Sequence, residues 1–246
     1  MRIVNLHHPE PIERALVGGK GEFLNRLCRA GFNVPSGYVV TTRVSDITVE
    51  IEKLIHEAYE TLGSELVAVR SSAAAEDSIE HSWAGQFDTH LNVTKSELID
   101  RIQEIWASSR SDRARNYATK AGIDPNQLSM AVVVQAMAEA DIAGVMFTSN
   151  PVTGNHDQVV IEAAVGLGED LVSGQITPDT YFVDKSNYEI IESNLQKDVL
   201  NAKQIRQLVQ CANKIQSIFG PDLDVEWAIT DNMLWLLQAR PITGGI

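Results

Sequence analysis

The sequence predicts an α+β protein of two lobes, because helical and strand-like patterns alternate in its first half and strands dominate its second half. The helical segments, each with apolar residues on one face, are 21–30, 46–62, 96–118 and 198–219. The strand candidates, short and rich in apolar residues, are 38–42, 66–69, 130–137, 144–148, 158–163, 224–229 and 234–239. We therefore expect an N-terminal lobe over 1–130 and a C-terminal lobe over 131–246.

Composition and charge exclude several classes of function. The chain has 246 residues, with 20 Lys and Arg against 33 Asp and Glu, and its formal net charge is −13. That charge opposes binding to nucleic acid or to an anionic membrane surface. No apolar run approaches the roughly 18 residues of a membrane span. The first residues, 1–5, lack the apolar stretch of a secretory signal, so we expect a cytoplasmic protein.

Four residues, Gly18-Gly19-Lys20-Gly21, stand where a loop enters the first predicted helix. Glycine backbone, exposed amides and the positive end of the helix dipole coincide there with one lysine, a combination that binds anions. The spacing of the phosphate loop, Gly-x-x-x-x-Gly-Lys-Ser/Thr, is absent. A glycine-rich helix cap with a solvated lysine is therefore an alternative interpretation.

A second cation, Arg70, follows the buried strand 66–69 and precedes a loop of small residues. A guanidinium keeps its charge at physiological pH, so in this position it needs an anionic partner. The partner is either a bound anion or, in the alternative interpretation, the nearby Glu76 or Asp77.

The last two strands predict a hairpin whose turn decides which residues share a face. A two-residue turn at Asp231-Asn232 would put Glu226 and Gln238 on opposite faces. A three-residue loop instead gathers Asp224, Glu226, Gln238 and Arg240 on one face, and we predict this loop because it separates polar from apolar side chains. The apolar face is then Val225, Trp227, Ile229, Trp235, Leu237 and Ala239.

The polar face of this hairpin offers a carboxylate, an amide oxygen and a guanidinium. Hard oxygen ligands suit Mg²⁺, which completes its coordination with waters and substrate phosphates, and phosphate suits Arg240. The alternative is an exposed polar face on which Glu226 and Arg240 only attract each other.

These segments together resemble the nucleotide-binding domain at the N-terminus of phosphoenolpyruvate synthase, pyruvate phosphate dikinase and rifampicin phosphotransferase. The resemblance covers nearly the whole chain. The matching motifs, in the order of that family, are Gly18-Gly19-Lys20-Gly21, Gly31-Phe32-Asn33-Val34-Pro35-Ser36-Gly37, Val69-Arg70-Ser71-Ser72-Ala73, Ala84-Gly85-Gln86, Gly144-Val145-Met146-Phe147-Thr148, Glu162-Ala163-Ala164-Val165-Gly166-Leu167-Gly168-Glu169, Thr177-Pro178-Asp179, Asp224-Val225-Glu226-Trp227 and Leu237-Gln238-Ala239-Arg240-Pro241.

The resemblance implies a two-lobed, ATP-grasp-like nucleotide-binding domain that closes as a clamp around ATP. Its N-terminal lobe would supply Lys20, Arg70, Gly85 and Thr89 to the phosphates. Phosphoryl transfer needs mainly positioning and charge neutralisation, so Lys20 and Arg70 are predicted catalytic residues together with Arg240.

The same resemblance implies the remaining site residues. Gln135 and Met137 match the segment that holds adenine, although without the family they would be a strand end and a core methionine. Glu226 and Gln238 would bind Mg²⁺, and Arg240 would bind the terminal phosphate.

The chain also departs from the family. The stretch between Thr42 and Val69 is shorter than usual, and the swivelling phosphohistidine domain and the acceptor domain that follow in the relatives are absent from this sequence. None of the six histidines stands in a small-residue helix start of the phospho-accepting kind.

We therefore predict a Mg-ATP-binding phosphotransferase domain or subunit that passes phosphoryl groups from ATP to a histidine on a separate swivelling domain. Two alternatives stay open at this point. One is a nucleotide-responsive interaction module that transfers nothing, and the other is a self-contained small-molecule kinase or ATP-dependent ligase of the ATP-grasp kind.

Overall fold

A computed structural model describes residues 1–73, 89–111, 115, 119, 129–166 and 176–242 of the chain. The chain divides into two compact units, Met1–Met137 and Ala138–Ile246. Over the described ranges, no helix is both long and apolar enough to cross a membrane.

The first unit is built on a five-stranded sheet in the order β1-β2-β5-β3-β4, with antiparallel neighbours. Its elements are β1 (Ile3–Asn5), α1 (Arg14–Arg29), β2 (Gly37–Val40), α2 (Val49–Glu60), β3 (Val67–Ala73), β4 (Thr89–Val93), α3 (Leu98–Ser109) and β5 (Met130–Ala136). The helix predicted over 96–118 is α3 as far as Ser109, and most of the residues after 111 lie outside the described ranges.

Helices cover both faces of this first sheet. On one face, Val67 and Val69 of β3 and Val132 and Val134 of β5 join a core cluster with α2 and α3. Because side chains alternate along a strand, the intervening residues of β3 and β5 lie on the other face, where α1 packs. The central part of the sheet is thus buried on both sides, which explains why β2, most of β5 and the start of β3 read as continuous apolar runs.

Strand β5 decides where the first unit ends. It pairs with β2 on one side and with β3 on the other, so it occupies the centre of the first sheet. The division after Met137 therefore differs from the expected boundary at 130 by one strand. Sequence periodicity identifies β5 as a strand, but it does not say which neighbours complete its hydrogen bonds.

The second unit is built on a six-stranded antiparallel sheet in the order β11-β10-β6-β7-β8-β9. Its elements are β6 (Ile142–Phe147), β7 (Gln158–Val165), β8 (Asp179–Asp184), β9 (Ile190–Asn194), α4 (Ala202–Phe219), β10 (Leu223–Thr230) and β11 (Met233–Pro241). Helix α4 starts with a capping box, in which the side chains of Asn201 and Gln204 satisfy each other's backbone N–H groups. The buried residues of α4 recur at helical spacing, as the sequence predicts.

A buried carboxylate, Asp179 at the start of β8, ties the loop before α4 to the sheet. It accepts hydrogen bonds from the backbone N–H groups of Gln196, Lys197 and Val199 and lies 3.5 Å from the hydroxyl of Tyr181. Desolvation alone would raise the pKa of Asp179, but these donors outweigh it and hold the pKa below its ordinary value. The conformation of the loop therefore depends on the charge of Asp179.

We expect Asp179→Asn to lower the free energy of unfolding by about 2–3 kcal/mol at neutral pH, because an amide would turn N–H donors toward backbone N–H groups. A carboxyl whose pKa is lowered by folding stabilises the native state above its unfolded pKa and loses that effect as pH falls through its folded pKa. Chemical denaturation from pH 7 down to about pH 2 should show the wild-type advantage disappearing below about pH 4.

The matched control is Asp184→Asn, at the last residue of β8. Asp184 also accepts backbone N–H groups, from Ser186 and Asn187, but it is more exposed. A loss at Asp179 no larger than at Asp184 would contradict the anchoring role.

Candidate functional site

Helix α1 is interrupted at Gly18, so its main segment begins within the glycine-rich sequence. Gly18 has φ 73° and ψ 178°, a conformation that is essentially restricted to glycine. A Cβ atom at this position would lie 2.1 Å from the carbonyl oxygen of Ser72. Glycine is therefore required at position 18 both by its backbone conformation and by the closeness of β3.

The side chain of Ser72 joins the two segments of α1. Its hydroxyl donates to the carbonyl oxygen of Val17 at 2.7 Å and accepts from the N–H of Gly21 at 3.1 Å. Ser72 thus satisfies one amide at the start of the main helix. It also holds the Lys20 loop, residues 18–21 at the kink of α1, against the strand that carries Arg70. The sequence motif Val69-Arg70-Ser71-Ser72-Ala73 contains this serine, but sequence reasoning gave it no role.

Three predicted site residues lie on the face of the first sheet that α1 covers. Arg70 pairs directly with Thr89 on β4 and with Val133 on β5, and direct partners share a face. Gln135, two residues after Val133, lies on the same face. Arg70 is 9% exposed and Gln135 is 2% exposed.

Of the other residues predicted for the nucleotide site, the structure describes Gln135 and Met137 but not Gly85. Within the described residues, Nε2 of Gln135 is buried and has no hydrogen-bond partner, so this amide is a candidate donor to a ligand. Met137 follows the end of β5, and its N–H donates to the carbonyl oxygen of Leu66 at 3.0 Å. Gly85 lies outside the described residues, as do Glu76 and Asp77 of the alternative interpretation.

The turn of the final hairpin differs from the prediction. Thr230 pairs with Met233, so only Asp231 and Asn232 form the loop, and both have positive φ values, 50° and 63°. The predicted three-residue loop is therefore wrong. Two consecutive residues with positive φ are typical of the tight type I′ turn, and Asp and Asn tolerate that conformation better than most residues.

A β-bulge restores the predicted polar face in spite of the shorter turn. The register shifts after Glu226, because Trp227 pairs with Leu236 and leaves Leu237 unpaired. Glu226 then lies directly opposite Gln238. The grouping of polar residues is confirmed, but its cause is an extra residue inside β11.

The same bulge corrects the predicted apolar face of the hairpin. Trp227 and Ile229 pair with Leu236 and Leu234, which are buried, so these leucines belong to the apolar face. Trp235 pairs with Ala228 on the polar side, and Leu237 is the bulged residue. Both had been expected on the apolar face.

Arg240 contacts the carboxylate of Asp224. Its Nε and Nη2 atoms lie 2.9 Å and 2.8 Å from Oδ2 of Asp224, which is directly opposite on β10. Desolvation raises the pKa of Asp224; Arg240 opposes that shift, and Glu226 adds to it. Arg240 thus forms an ion pair with a carboxylate of the hairpin, and Asp224, which sequence reasoning had only grouped with it, is that carboxylate.

A third carboxylate, Glu162 on β7, belongs to the same face, and sequence reasoning missed it. Glu226 pairs with Val145 on β6, which in turn pairs with Glu162, so the two glutamates lie in one cross-strand row. Burial and the charge of Asp224 raise the pKa of Glu162. The signal was present in the sequence, because Glu162 opens one of the quoted motifs and interrupts an apolar strand.

The donors of this face fit a hard cation that needs few protein ligands. Glu226 supplies a carboxylate and Gln238 an amide, which are oxygen ligands that Mg²⁺ accepts. Within the ranges that the structure describes, no group of three or more His, Cys, Asp or Glu could hold a metal ion. A cation here would therefore take the rest of its ligands from water and from phosphate oxygens.

The fold is that of an ATP-grasp-like α+β protein. It superposes with a TM-score of 0.51 on the dinucleotide forming acetyl-coenzyme A synthetase 1 of Ca. Korarchaeum cryptofilum, at 12% sequence identity and over 92% of both chains. The family model described as pyruvate phosphate dikinase, AMP/ATP-binding domain, matches residues 43–199 and 192–245. The chain belongs to this family, as the sequence predicts.

Curated relatives extend the similarity to the N-terminal residues. Prodigiosin synthesizing transferase PigC of Serratia marcescens is 34% identical over 98% of this chain and 33% of its own length. A probable phosphoenolpyruvate synthase of Methanocaldococcus jannaschii is 33% identical over 93% of the chain and 25% of its own length. The uncharacterized phosphotransferase YvkC of Bacillus subtilis is 32% identical over 93% of the chain and 33% of its own length. The chain thus spans a quarter to a third of these relatives.

Proposed function

We propose that this chain is a Mg-ATP-binding phosphotransferase domain of a phosphoenolpyruvate synthase or pyruvate phosphate dikinase-like system. The observation that carries the proposal is the cross-strand pair of Glu226 and Gln238 next to Asp224 and Arg240, in a chain of the AMP/ATP-binding domain family. This pair offers metal-type oxygen ligands beside a phosphate-type cation.

In the first unit, the proposed task is to bind the nucleotide. Lys20 neutralises phosphate charge at the start of the main segment of α1, which Ser72 holds on β3. Arg70 and Thr89 act from the adjacent strands. The buried Nε2 amide of Gln135, which has no partner among the described residues, acts as a donor to the base. The Lys20 loop precedes the region that the family model matches, so its role rests on local geometry and on the relatives.

In the second unit, the proposed task is to hold the cation and the terminal phosphate. Glu226 and Gln238 bind Mg²⁺ through their side-chain oxygens, and Arg240 binds the phosphate that is transferred. When bound, Mg²⁺ neutralises charge on the phosphate oxygens. Preorganised charges of this kind account for most of the catalysis of phosphoryl transfer, which needs no covalent nucleophile from this chain.

The proposed acceptor is a histidine on a separate swivelling domain. The relatives are three to four times as long as the aligned part, which supports further domains in such a system. Among the described histidines, His56, His90 and His156 lie within 4 Å of Glu52, Glu104 and Asp222. The additional length of the relatives is the reason to look for the acceptor on a partner.

We expect Lys20→Ala to raise the Kd for Mg-ATP about 10- to 100-fold, because it removes one charge-assisted contact with phosphate. Isothermal titration calorimetry in millimolar Mg²⁺ measures the change. The matched control is Lys53→Ala, since Lys53 is an exposed helix lysine of the same unit, 3.7 Å from Glu57, and should leave the Kd unchanged. Absence of Mg-ATP binding by the wild-type chain would refute the proposal.

Transfer is tested separately with labelled ATP and a phosphohistidine-domain protein. Acid-labile label on the partner's histidine, absent when this chain is omitted, is the expected result. Binding without transfer would favour the nucleotide-responsive module, and rapid labelling of a small molecule by the chain alone would favour the self-contained kinase.

A further inference from the structure

The contact between Arg240 and Asp224 fixes the orientation of the guanidinium. Both Nε and Nη2 of Arg240 lie within 2.9 Å of a single oxygen, Oδ2 of Asp224. The contact therefore engages one edge of the planar guanidinium group, and it restrains the plane as well as the position of the charge. A lone lysine or an unpaired arginine would lack this restraint.

The surroundings of Asp224 make this contact stronger than an exposed ion pair. The side chain of Asp224 is 12% exposed, against 32% for Arg240, and its strand neighbour on β6 is Phe147. Solvent screening is weak in such a position, so the attraction between the two charges is stronger than in a surface pair, while the desolvation of Asp224 opposes it.

The β-bulge in β11 is what brings the two residues together. Asp224 pairs with Arg240 because Leu237 is left out of the ladder, and without the extra residue the two side chains would lie on opposite faces. Bulges are typically found where a strand must redirect a side chain near a site.

We propose that Asp224 is a positioning residue that orients Arg240 toward the terminal phosphate, an inference that rests on the proposed function. It acts through Arg240 and does not itself bind the nucleotide or the cation. Without Asp224, the Arg240 guanidinium would keep its charge and still attract the polyphosphate. In a wrong orientation, however, it would no longer favour ATP, which carries the additional phosphate, over ADP. The expected signature is therefore a loss of discrimination between Mg-ATP and Mg-ADP.

The test compares Kd values for Mg-ATP and Mg-ADP in the wild type, Asp224→Asn, Arg240→Ala and the double variant. We expect Asp224→Asn to raise the Kd for Mg-ATP about tenfold and to change that for Mg-ADP by less than twofold. In the Arg240→Ala background, the same substitution should have no further effect, since its target is gone. A tenfold effect that persists without Arg240 would overturn the proposal and indicate a direct role with the cation.

The matched control is Glu192→Gln at the opposite edge of the sheet. Glu192 belongs to the same cross-strand row as Asp224 and Arg240, reached through Phe147, Val160 and Phe182. The substitution Glu192→Gln removes an equal charge from the same row, about 20 Å from Asp224 at the usual strand spacing. It should leave the Kd values for Mg-ATP and Mg-ADP unchanged. If Glu192→Gln and Asp224→Asn changed the Kd values equally, the change in net charge would explain the result, and the positioning role of Asp224 would be refuted.

A second measurement needs no nucleotide and separates this proposal from the proposed function. In the ¹⁵N-labelled chain, the Nε–H signal of Arg240, assigned by its loss in Arg240→Lys, should exchange slowly with water. Asp224→Asn should speed that exchange at least tenfold, while thermal unfolding by circular dichroism verifies that the variant is folded. Unchanged exchange would refute the anchoring of Arg240 even if Mg-ATP binds, and failure of nucleotide binding would leave this readout intact.

Discussion

Replacing Gly18 with alanine is expected to lower the free energy of unfolding of the first unit by about 2–6 kcal/mol. Two independent causes contribute. The backbone conformation, φ 73° and ψ 178°, is strained for any residue with a Cβ, and that Cβ would lie 2.1 Å from the carbonyl oxygen and 2.3 Å from the hydroxyl of Ser72. Either the loop or the end of β3 must move, and the Ser72 hydrogen bonds to Val17 and Gly21 would be lost with it.

The expected measurement combines unfolding with binding. Urea denaturation followed by circular dichroism gives the stability, and calorimetry gives the Kd for Mg-ATP, which we expect to rise at least tenfold because Lys20 loses its fixed backbone. The matched control is Gly31→Ala, just after α1, where φ is 75° but no atom of the described structure lies within 4 Å of the Cβ position. This control isolates left-handed strain and should cost only about 1–2 kcal/mol without affecting binding.

The second large effect is expected for Gly144→Ala in β6. Its φ is not positive, so overlap alone acts: the new Cβ would lie 1.9 Å from the carbonyl oxygen of Glu162 and 2.6 Å from Cζ2 of Trp227. Strands β6 and β7 would have to separate, at a cost of about 3 kcal/mol or more to the second unit. Because Trp227 neighbours Glu226, we also expect weaker Mg-ATP binding.

Urea denaturation monitored by tryptophan fluorescence reports this change. The control is Ala143→Gly in the adjacent position of β6, which removes a methyl group where Gly144→Ala adds one and should cost about 1 kcal/mol. Equal losses at the two positions would mean that the close approach of Gly144 to β7 does not limit this sheet.

The elements were predictable where a local pattern carries the information. Helix α4 combines helical spacing of apolar residues, an Asn–Gln capping box and a terminal glycine, so local chemistry and burial agree on it. The polar residues of the final hairpin were also predictable as a group, because mixing them with Val225 and Trp227 would bury unpaired charge.

Features that depend on the pairing of one strand with another were not predictable. Leu237 is bulged because the two-residue turn and the apolar faces of β10 and β11 would otherwise be out of register, and either a longer loop or an extra residue solves that conflict. Periodicity cannot choose between these solutions. In the same way, Glu162 joins the site through two intervening strand pairings, which no local pattern records.

The sequence by itself determined the family and most of the secondary structure, because side-chain type and spacing act locally. It did not predict β1, β4, β8 and β9, which are short or lack a continuous apolar pattern. Only the tertiary structure decided that β5 completes the first sheet, that Ser72 fixes the Lys20 loop, and that Arg240 is held by Asp224. Each of these is a contact between residues far apart in the chain or on different strands. Such contacts form when the sheets satisfy their backbone hydrogen bonds and bury one face, and those requirements apply to the whole unit at once.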